Sequence, residues 1–411
     1  MNRVLVVFCL IVVFYIKLPG QQLGFSLAEN VKRVQIPIEI HNNLIVLPVV
    51  INNQLPLKFI LDTGVRTTIL TEKSFSDILD LPYSRQYSIS GPGGEKLIEA
   101  FVTNNVSIDL PGIRGKGHAM LVLEQDYLEL RNYLGTDVHG VLGYELFSRF
   151  VIQIDYKNNR IVLTQPDKFK PGRRYQVFPL TVEDTKPYMM ATIVMNDSTQ
   201  VDAKLLVDSG ASHGIMIDPE SNLNLAAPER HIESIIGRGL GGVITGKIGR
   251  IDALELGKYT LKNVIANFPD PNSYNDTLKL DRDVFRNGSI GGEVLTRFNV
   301  AINLPGEKLY LKKNSSYKKK FYYNLSGITI KAKGARLRRY EITDVRANSS
   351  GERGGLQNGD IILSVNGIAA ESLSLTILNG FFNSKPQRKV TLEIERAGVK
   401  MKKVMRLEDQ I

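Results

Sequence analysis

Two aspartates stand where an acid–base pair could form. Residues 58–70 read KFILDTGVRTTIL and residues 204–216 read KLLVDSGASHGIM. In each, an apolar run carries a carboxylate, Asp62 or Asp208, to the edge of a core. Gly64 or Gly210 follows two residues later and lets the backbone turn sharply. The hydroxyl between them, Thr63 or Ser209, can reach across to a partner loop. One such loop alone is ordinary turn chemistry. Two related by an approximate twofold would set like charges ~3 Å apart, and such a pair holds one proton between its members. One carboxylate then serves as base on a shared water while the other serves as acid toward a carbonyl.

The chain supports that twofold by repeating itself. Asp62 and Asp208 are 146 residues apart. GYELFSRFVIQIDYKNNRIVL begins at Gly143 and GGEVLTRFNVAINLPGEKLYL at Gly291, an offset of 148. Glycine-rich stretches at 88–98 and 235–246 keep the same offset, with Gly94 matching Gly242. Three landmarks at nearly one spacing define a duplicated unit of about 145 residues. Each unit reads as β-rich, with strands expected at 34–40, 44–51, 57–61, 188–195 and 203–207. Asn52-Asn53 and Asn196-Asp197 supply turn chemistry between them. Short helices are expected at 145–150 and 293–298, each followed by a strand at 151–155 or 299–303.

Across residues 33–312 the sequence resembles the aspartic proteases, and within them the retropepsin-like group. Asp62-Thr63-Gly64, Asp208-Ser209-Gly210 and the triplet Val141-Leu142-Gly143 carry the resemblance. The second triplet, Ser289-Ile290-Gly291, has Ser where that family has an apolar residue. The resemblance implies a mainly β, bilobal acid-protease-type fold and makes Asp62 and Asp208 the catalytic pair, with Thr63, Gly64, Ser209 and Gly210 supporting the loops. It also implies two flaps, around Gly91, Gly93 and Gly94 and around Gly239, Gly241 and Gly242. The chain is thus similar to a covalently fused retropepsin dimer, expected to act as a monomer. A nucleotide-binding reading of the loop at 237–242 lacks the βαβ unit and acidic ribose ligand it needs.

Retroviral-type sites of that group often have Ala then Asp after the glycine; here Val65-Arg66 and Ala211-Ser212 stand there, and Arg66 places a cation where the resemblance implies a substrate-backbone acceptor. Either it changes how lobe 1 binds peptide or it forms a structural ion pair. His213, close behind the second motif, reads first as a packed or surface imidazole rather than a catalytic one. The five histidines show no metal-ligand spacing, and no metal or cofactor is expected.

After a polar basic stretch at 312–320 the sequence resembles a PDZ domain of the bacterial kind. The pieces are Leu325-Ser326-Gly327-Ile328, then 340–367 with Gly355-Leu356, Asn358-Gly359-Asp360 and Asn366-Gly367, a helix near 371–382 and a strand at 389–395. By resemblance, Leu325, Ser326, Gly327 and Ile328 would receive a peptide C-terminus. Leu373, Ile377 and Leu378 would line or support the groove, or simply be core. The basic stretch is expected to be a solvated spacer, with peripheral contact to an anionic membrane surface as a second reading.

The remaining composition narrows the class. The formal net charge is +10, and from residue 312 onward 20 Lys and Arg face 9 Asp and Glu, so the excess lies in the C-terminal part. No motif of a nucleic-acid binder accompanies it. Arg3 and the 13-residue apolar run from Val4 to Ile16 read as an export signal with small residues at Ser26 and Ala28. An uncleaved anchor is the alternative, although a span needs roughly 18 apolar residues. The only cysteine, Cys9, lies in this segment. Export without disulfides suits the periplasm or envelope of a bacterium. The expected organisation is a signal peptide at 1–28, lobes at 29–168 and 169–312, a basic linker at 313–320 and a PDZ-like domain at 321–411. The expected function is an aspartic endopeptidase acting on polypeptides, its PDZ-like domain recognising substrate or partner. The alternative is an inactive peptide-binding envelope adaptor.

Overall fold

The computed structural model describes residues 23–28, 31–89, 91, 93, 97–271 and 284–411. Two sheets share one strand order. In the first lobe it runs Glu39–His41, Leu44–Ile51, Leu55–Leu61, Gly140–Leu142, Thr68–Leu70, His118–Leu123, Ile98–Val106, Tyr83–Ile89. In the second it runs Thr181–Glu183, Lys186–Asn196, Thr199–Val207, Gly288–Ile290, Ile215–Ile217, Tyr259–Pro269, Gly242–Leu256, His231–Gly239.

The apolar strands ending at the two aspartates lie in the middle of these sheets, buried among neighbours. Leu55–Leu61 pairs in parallel with Gly140–Leu142, and Thr199–Val207 with Gly288–Ile290. The lobe-1 hairpin on the way in turns through Asn52 and Asn53, which hold φ of 48° and 56°, a region that Asn tolerates better than most residues. Short helices follow each triplet, Tyr144–Phe147 and Gly292–Leu295, each starting one residue before the expected position and ending three residues before it.

A third sheet joins the lobes. Its order is Gln176–Pro179, Lys308–Lys313, Phe298–Asn303, Val151–Asp155, Arg160–Thr164, Arg33–Pro37. Val151–Asp155 and Phe298–Asn303 pair antiparallel across the pseudo-twofold, with Ile152 opposite Ile302. One apolar core therefore runs through both lobes.

The N-terminal boundary differs from expectation. Gly24–Leu27 is a strand paired with Ile113–Lys116, and Phe25 is buried against the His118 ring at 4.2 Å. The downstream end of the expected export segment thus overlaps the folded body, because cleavage after Ala28 would remove a strand. Residues 1–22 lie outside the described residues. No helix among the described residues is long and apolar enough to cross a membrane.

The basic stretch is not a solvated spacer. Asn314 donates from Nδ2 to the Thr296 carbonyl at 2.9 Å, and Arg297 donates to the carbonyls of Ser316 and Lys319. The Arg297 guanidinium lies 3.4 Å over the Phe321 ring. A strap rich in lysine can still be ordered when its backbone carbonyls, not its charges, are what the protein holds. Phe321 and Ile411 both enter the core of the two-lobed body. Arg250 ties that return together, donating to the carbonyls of Phe321 and Ile411 and to the Asp409 carboxylate.

The C-terminal domain is a sheet ordered Ile328–Lys333, Arg339–Val345, Ile361–Val365, Lys389–Arg396, Val399–Arg406, with its own core around Tyr340, Leu378 and Phe382. Its helix Leu375–Phe382 starts at Ser374, whose Oγ accepts from Ile377 N–H. The buried Asp360 is held bidentately by Arg396 at 2.6 and 2.8 Å, which satisfies a charge that could not otherwise stay inside.

Candidate active site

The two Asp loops meet at the pseudo-twofold and brace each other. Thr63 Oγ1 donates to the Val207 carbonyl at 2.5 Å and accepts from Ser209 N–H at 3.0 Å. Ser209 Oγ donates to the Leu61 carbonyl at 2.9 Å and accepts from Thr63 N–H at 3.1 Å. Each hydroxyl satisfies one buried donor and one buried acceptor of the other lobe, and both side chains are 1% exposed. The strands are also locked from behind: Asp62 N–H donates to the Leu142 carbonyl and Asp208 N–H to the Ile290 carbonyl, each at 2.9 Å.

The carboxylates themselves are held by the turns that follow them. Gly64 N–H donates to Asp62 Oδ1 at 2.6 Å, and Gly210 N–H to Asp208 Oδ1 at 2.9 Å. A Cβ at position 210 would sit 2.2 Å from Asp62 Oδ2, so glycine is required for the close approach of the two loops. Both carboxylates are half-buried where the two loops meet. That burial, and next the Asp208 charge, push Asp62 up to about 7 against the pull of Gly64 N–H and Lys186. Burial also raises Asp208, opposed by the amides of Gly210 and Ala211 and by the charges of Arg286 and Lys186. Two coupled carboxyls raised together hold a proton into the neutral range.

The two glycine-rich hairpins, one from each lobe, touch each other. A Cβ on Gly93 would come within 2.2 Å of the Gly242 carbonyl oxygen, and one on Gly91 within 2.9 Å of Leu240 Cβ. Gly239 pairs with Gly242 across the lobe-2 hairpin, and Gly241 lies in its turn. Gly94 lies outside the described residues. The tip residue Leu240 packs against a lobe-1 core cluster that includes Leu44, Ile60, Ile98 and Val141, as do Val65 and Ile89 from the Asp62 loop and the lobe-1 hairpin. This packing of the lobe-2 hairpin on lobe 1 was not foreseen from the sequence. Its one legible signal was a large apolar residue, Leu240, alone among glycines.

Three further positions are settled by geometry. Arg66 is 71% exposed and faces Asp184, in the turn between the lobe-2 strands Thr181–Glu183 and Lys186–Asn196, at 3.6 Å, so it is an exposed ion pair between lobes. His213 is half-buried, its Nε2 3.0 Å from Ser289 Oγ, and desolvation pushes it down to about 4, so it is neutral at neutral pH. The same contact gives a reason for Ser289 in place of an apolar residue in the second triplet: it partners the His213 imidazole.

The loop 325–328 does not stand open as expected. Leu325, Ser326, Gly327 and Ile328 are all buried. Gly327 N–H already donates to Asn324 O and Oδ1, and Ile328 N–H to Ser326 Oγ, so the amides that would greet a carboxylate are engaged inside the loop. Leu373 and Leu378 are core, whereas Ile377 is 54% exposed.

Among the described residues no cluster of His, Cys, Asp or Glu could hold a metal ion. No curated protein matches the chain. A similar solved structure is the crystal structure of Basic 7S globulin from soybean, at 9% identity and a TM-score of 0.41, covering 71% of this chain and 98% of that one. A family model for the PDZ domain matches residues 341–396. The family model for aspartyl protease matches twice, over residues 47–146 and 189–294, each match enclosing one Asp loop and one flap. With half of its length so matched, the chain belongs to the aspartyl protease family.

Proposed function

We propose that the chain is an aspartic endopeptidase whose general acid and general base are Asp62 and Asp208. The reciprocal Thr63–Ser209 grip carries this reading, because it brings one carboxylate from each lobe to a common point. With one proton on the pair, the ionised carboxylate takes a proton from water as the water oxygen bonds to the peptide carbonyl carbon. The protonated carboxyl gives its proton to the carbonyl oxygen. Return of a proton to the amide nitrogen lets the C–N bond break, yielding a carboxylic acid and an amine. The apolar group around Leu240 supports selection of apolar side chains next to the scissile bond. The apolar run at 4–16 supports export, with cleavage upstream of the strand at Gly24–Leu27.

The test is hydrolysis of a diverse peptide library by the full chain, by Asp62→Asn and by Asp208→Asn. Each substitution is expected to lower kcat by at least ~10³-fold with the fold intact. Substantial turnover in either variant would remove the pair from the chemistry.

A further inference from the structure

The strand Ile328–Lys333 is the outer strand of the PDZ-like sheet, paired only with Arg339–Val345. An open edge of this kind binds extended peptides by adding them as a strand. Here one end of it is already in use, by the lobe-1 helix Leu130–Leu134. Asn132 donates from Nδ2 to the Ala332 carbonyl at 2.8 Å, as an incoming peptide N–H would. Glu129, at the start of that helix, takes Lys331 at 2.6 Å. Gly135 closes the helix at φ 65°, and a Cβ there would sit 2.5 Å from Leu375 Cβ, so the turn fits tightly beside the PDZ-like helix.

The same helix grips the lobe-2 flap. Arg238, on the flap strand His231–Gly239, donates to Tyr133 Oη at 3.3 Å and faces the Glu129 carboxylate at 3.6 Å. The Tyr133 ring has Lys331 4.6 Å and Arg238 5.3 Å from its centroid. Glu129 and Tyr133 therefore each bind one cation of the PDZ-like domain and one of the flap.

We propose that the PDZ-like domain accepts an internal, extended, acidic segment on this edge, in competition with helix Leu130–Leu134, and that displacing the helix frees the lobe-2 flap. The carboxylate preference follows from Glu129, which now occupies Lys331. The preference for an internal segment follows from the loop at 325–328, where the Gly327 and Ile328 amides are already bonded within the loop and all four residues are buried. A strand with a carboxylate opposite Lys331 takes the Ala332 carbonyl from Asn132 and Lys331 from Glu129. Arg238 then loses the ordering of both its partners. The consequence for turnover rests on the peptidase reading; the binding and the flap response do not.

The experiment is amide hydrogen exchange across residues 231–242 in the full chain carrying Asp62→Asn, so that no outcome depends on hydrolysis. Lys331→Glu, which touches no flap residue, is expected to raise flap exchange by about tenfold. The triple variant Glu129→Lys, Arg238→Glu, Lys331→Glu restores protection to within about threefold of the parent, which separates lost charge pairing from damage to the fold. Added at millimolar concentration and constant ionic strength, the capped peptide Thr-Val-Glu-Val-Thr reproduces the Lys331→Glu effect on the parent, and Thr-Val-Lys-Val-Thr does not. Unchanged flap exchange in Lys331→Glu, or no rescue in the triple variant, overturns the coupling. Equal response to the two peptides, or response to neither, overturns the acidic-segment assignment.

Discussion

Lobe 1 and lobe 2 share a frame and differ in the carboxylate one helix behind each Asp loop. Glu145 accepts from Thr68 N–H at 3.3 Å and Oγ1 at 2.5 Å, and contacts His118 at 3.3 Å. Burial pushes Glu145 up, but the bonds from His118 and Thr68 outweigh it and hold it below the usual range. Glu293, at the matching position, pairs with Arg297 at 3.7 Å; burial pushes it up to about 7, partly offset by the charges of Arg297 and Arg250. The segments that cover the two clusters match in design. Phe25 stacks on His118 and Arg149 holds the Leu23 carbonyl in lobe 1, while Phe321 stacks on Arg297 and Arg297 holds the strap in lobe 2. The lesson is where a duplicated frame can diverge. Groups serving only their own lobe differ freely, whereas Thr63 and Ser209 differ by one methyl because each satisfies backbone groups of the other.

Removing the lobe-1 cover should have the largest effect. A chain starting at residue 29 loses the strand Gly24–Leu27 and the fully buried Phe25, at a cost of about 3–5 kcal/mol relative to one starting at residue 23. Urea unfolding of the two measures it, and equal midpoints would show that the strand is dispensable. Next is the grip. Thr63→Val and Ser209→Ala each leave a buried N–H and a buried C=O unpaired, costing about 2–4 kcal/mol. Because the four bonds form one unit, the double variant should fall well short of the sum. Additive losses would mean that the loops do not brace each other.

Smaller and opposite in sign are the two glutamates. Glu293 keeps a proton in the folded chain up to about pH 7 that the unfolded chain releases near 4.5. Stability is therefore lost as pH rises between those values, and Glu293→Gln should stabilise at pH 8 by about 1–2 kcal/mol. Glu145, with its lowered value, contributes stability above 4.5 that is lost as pH falls through its folded value. Glu145→Gln should then destabilise at pH 8 by about 1–2 kcal/mol through lost hydrogen bonds, with the difference shrinking in acid. Thermal melts at pH 4 and pH 8 decide it, and shifts of one sign at pH 8 would erase the contrast.

The sequence revealed what repetition and local chemistry encode. The offset between Asp62 and Asp208 located the central strands, and the glycine runs located the flaps. It did not reveal what depends on long-range packing. Nothing local distinguishes a lysine-rich spacer from a strap held by Arg297, because the interaction goes through backbone carbonyls. The docking of the PDZ-like domain was hidden for the same reason: Asn132 and Arg131 reach carbonyls of Ala332 and Ala335, some 200 residues away. The strand at Gly24–Leu27 was masked by its overlap with an apolar leader-like segment. The role of Ser289 became readable only beside His213.

The central claim is that one chain carries a complete pair, one aspartate from each lobe. Mixing equimolar Asp62→Asn and Asp208→Asn chains tests it directly, with peptide hydrolysis as the readout across a hundredfold range of concentration. The account predicts that the mixture stays as inactive as its components at every concentration, because the grip joins lobes of the same chain. Recovery of activity on mixing, rising with concentration, would place the working site between two chains and contradict it.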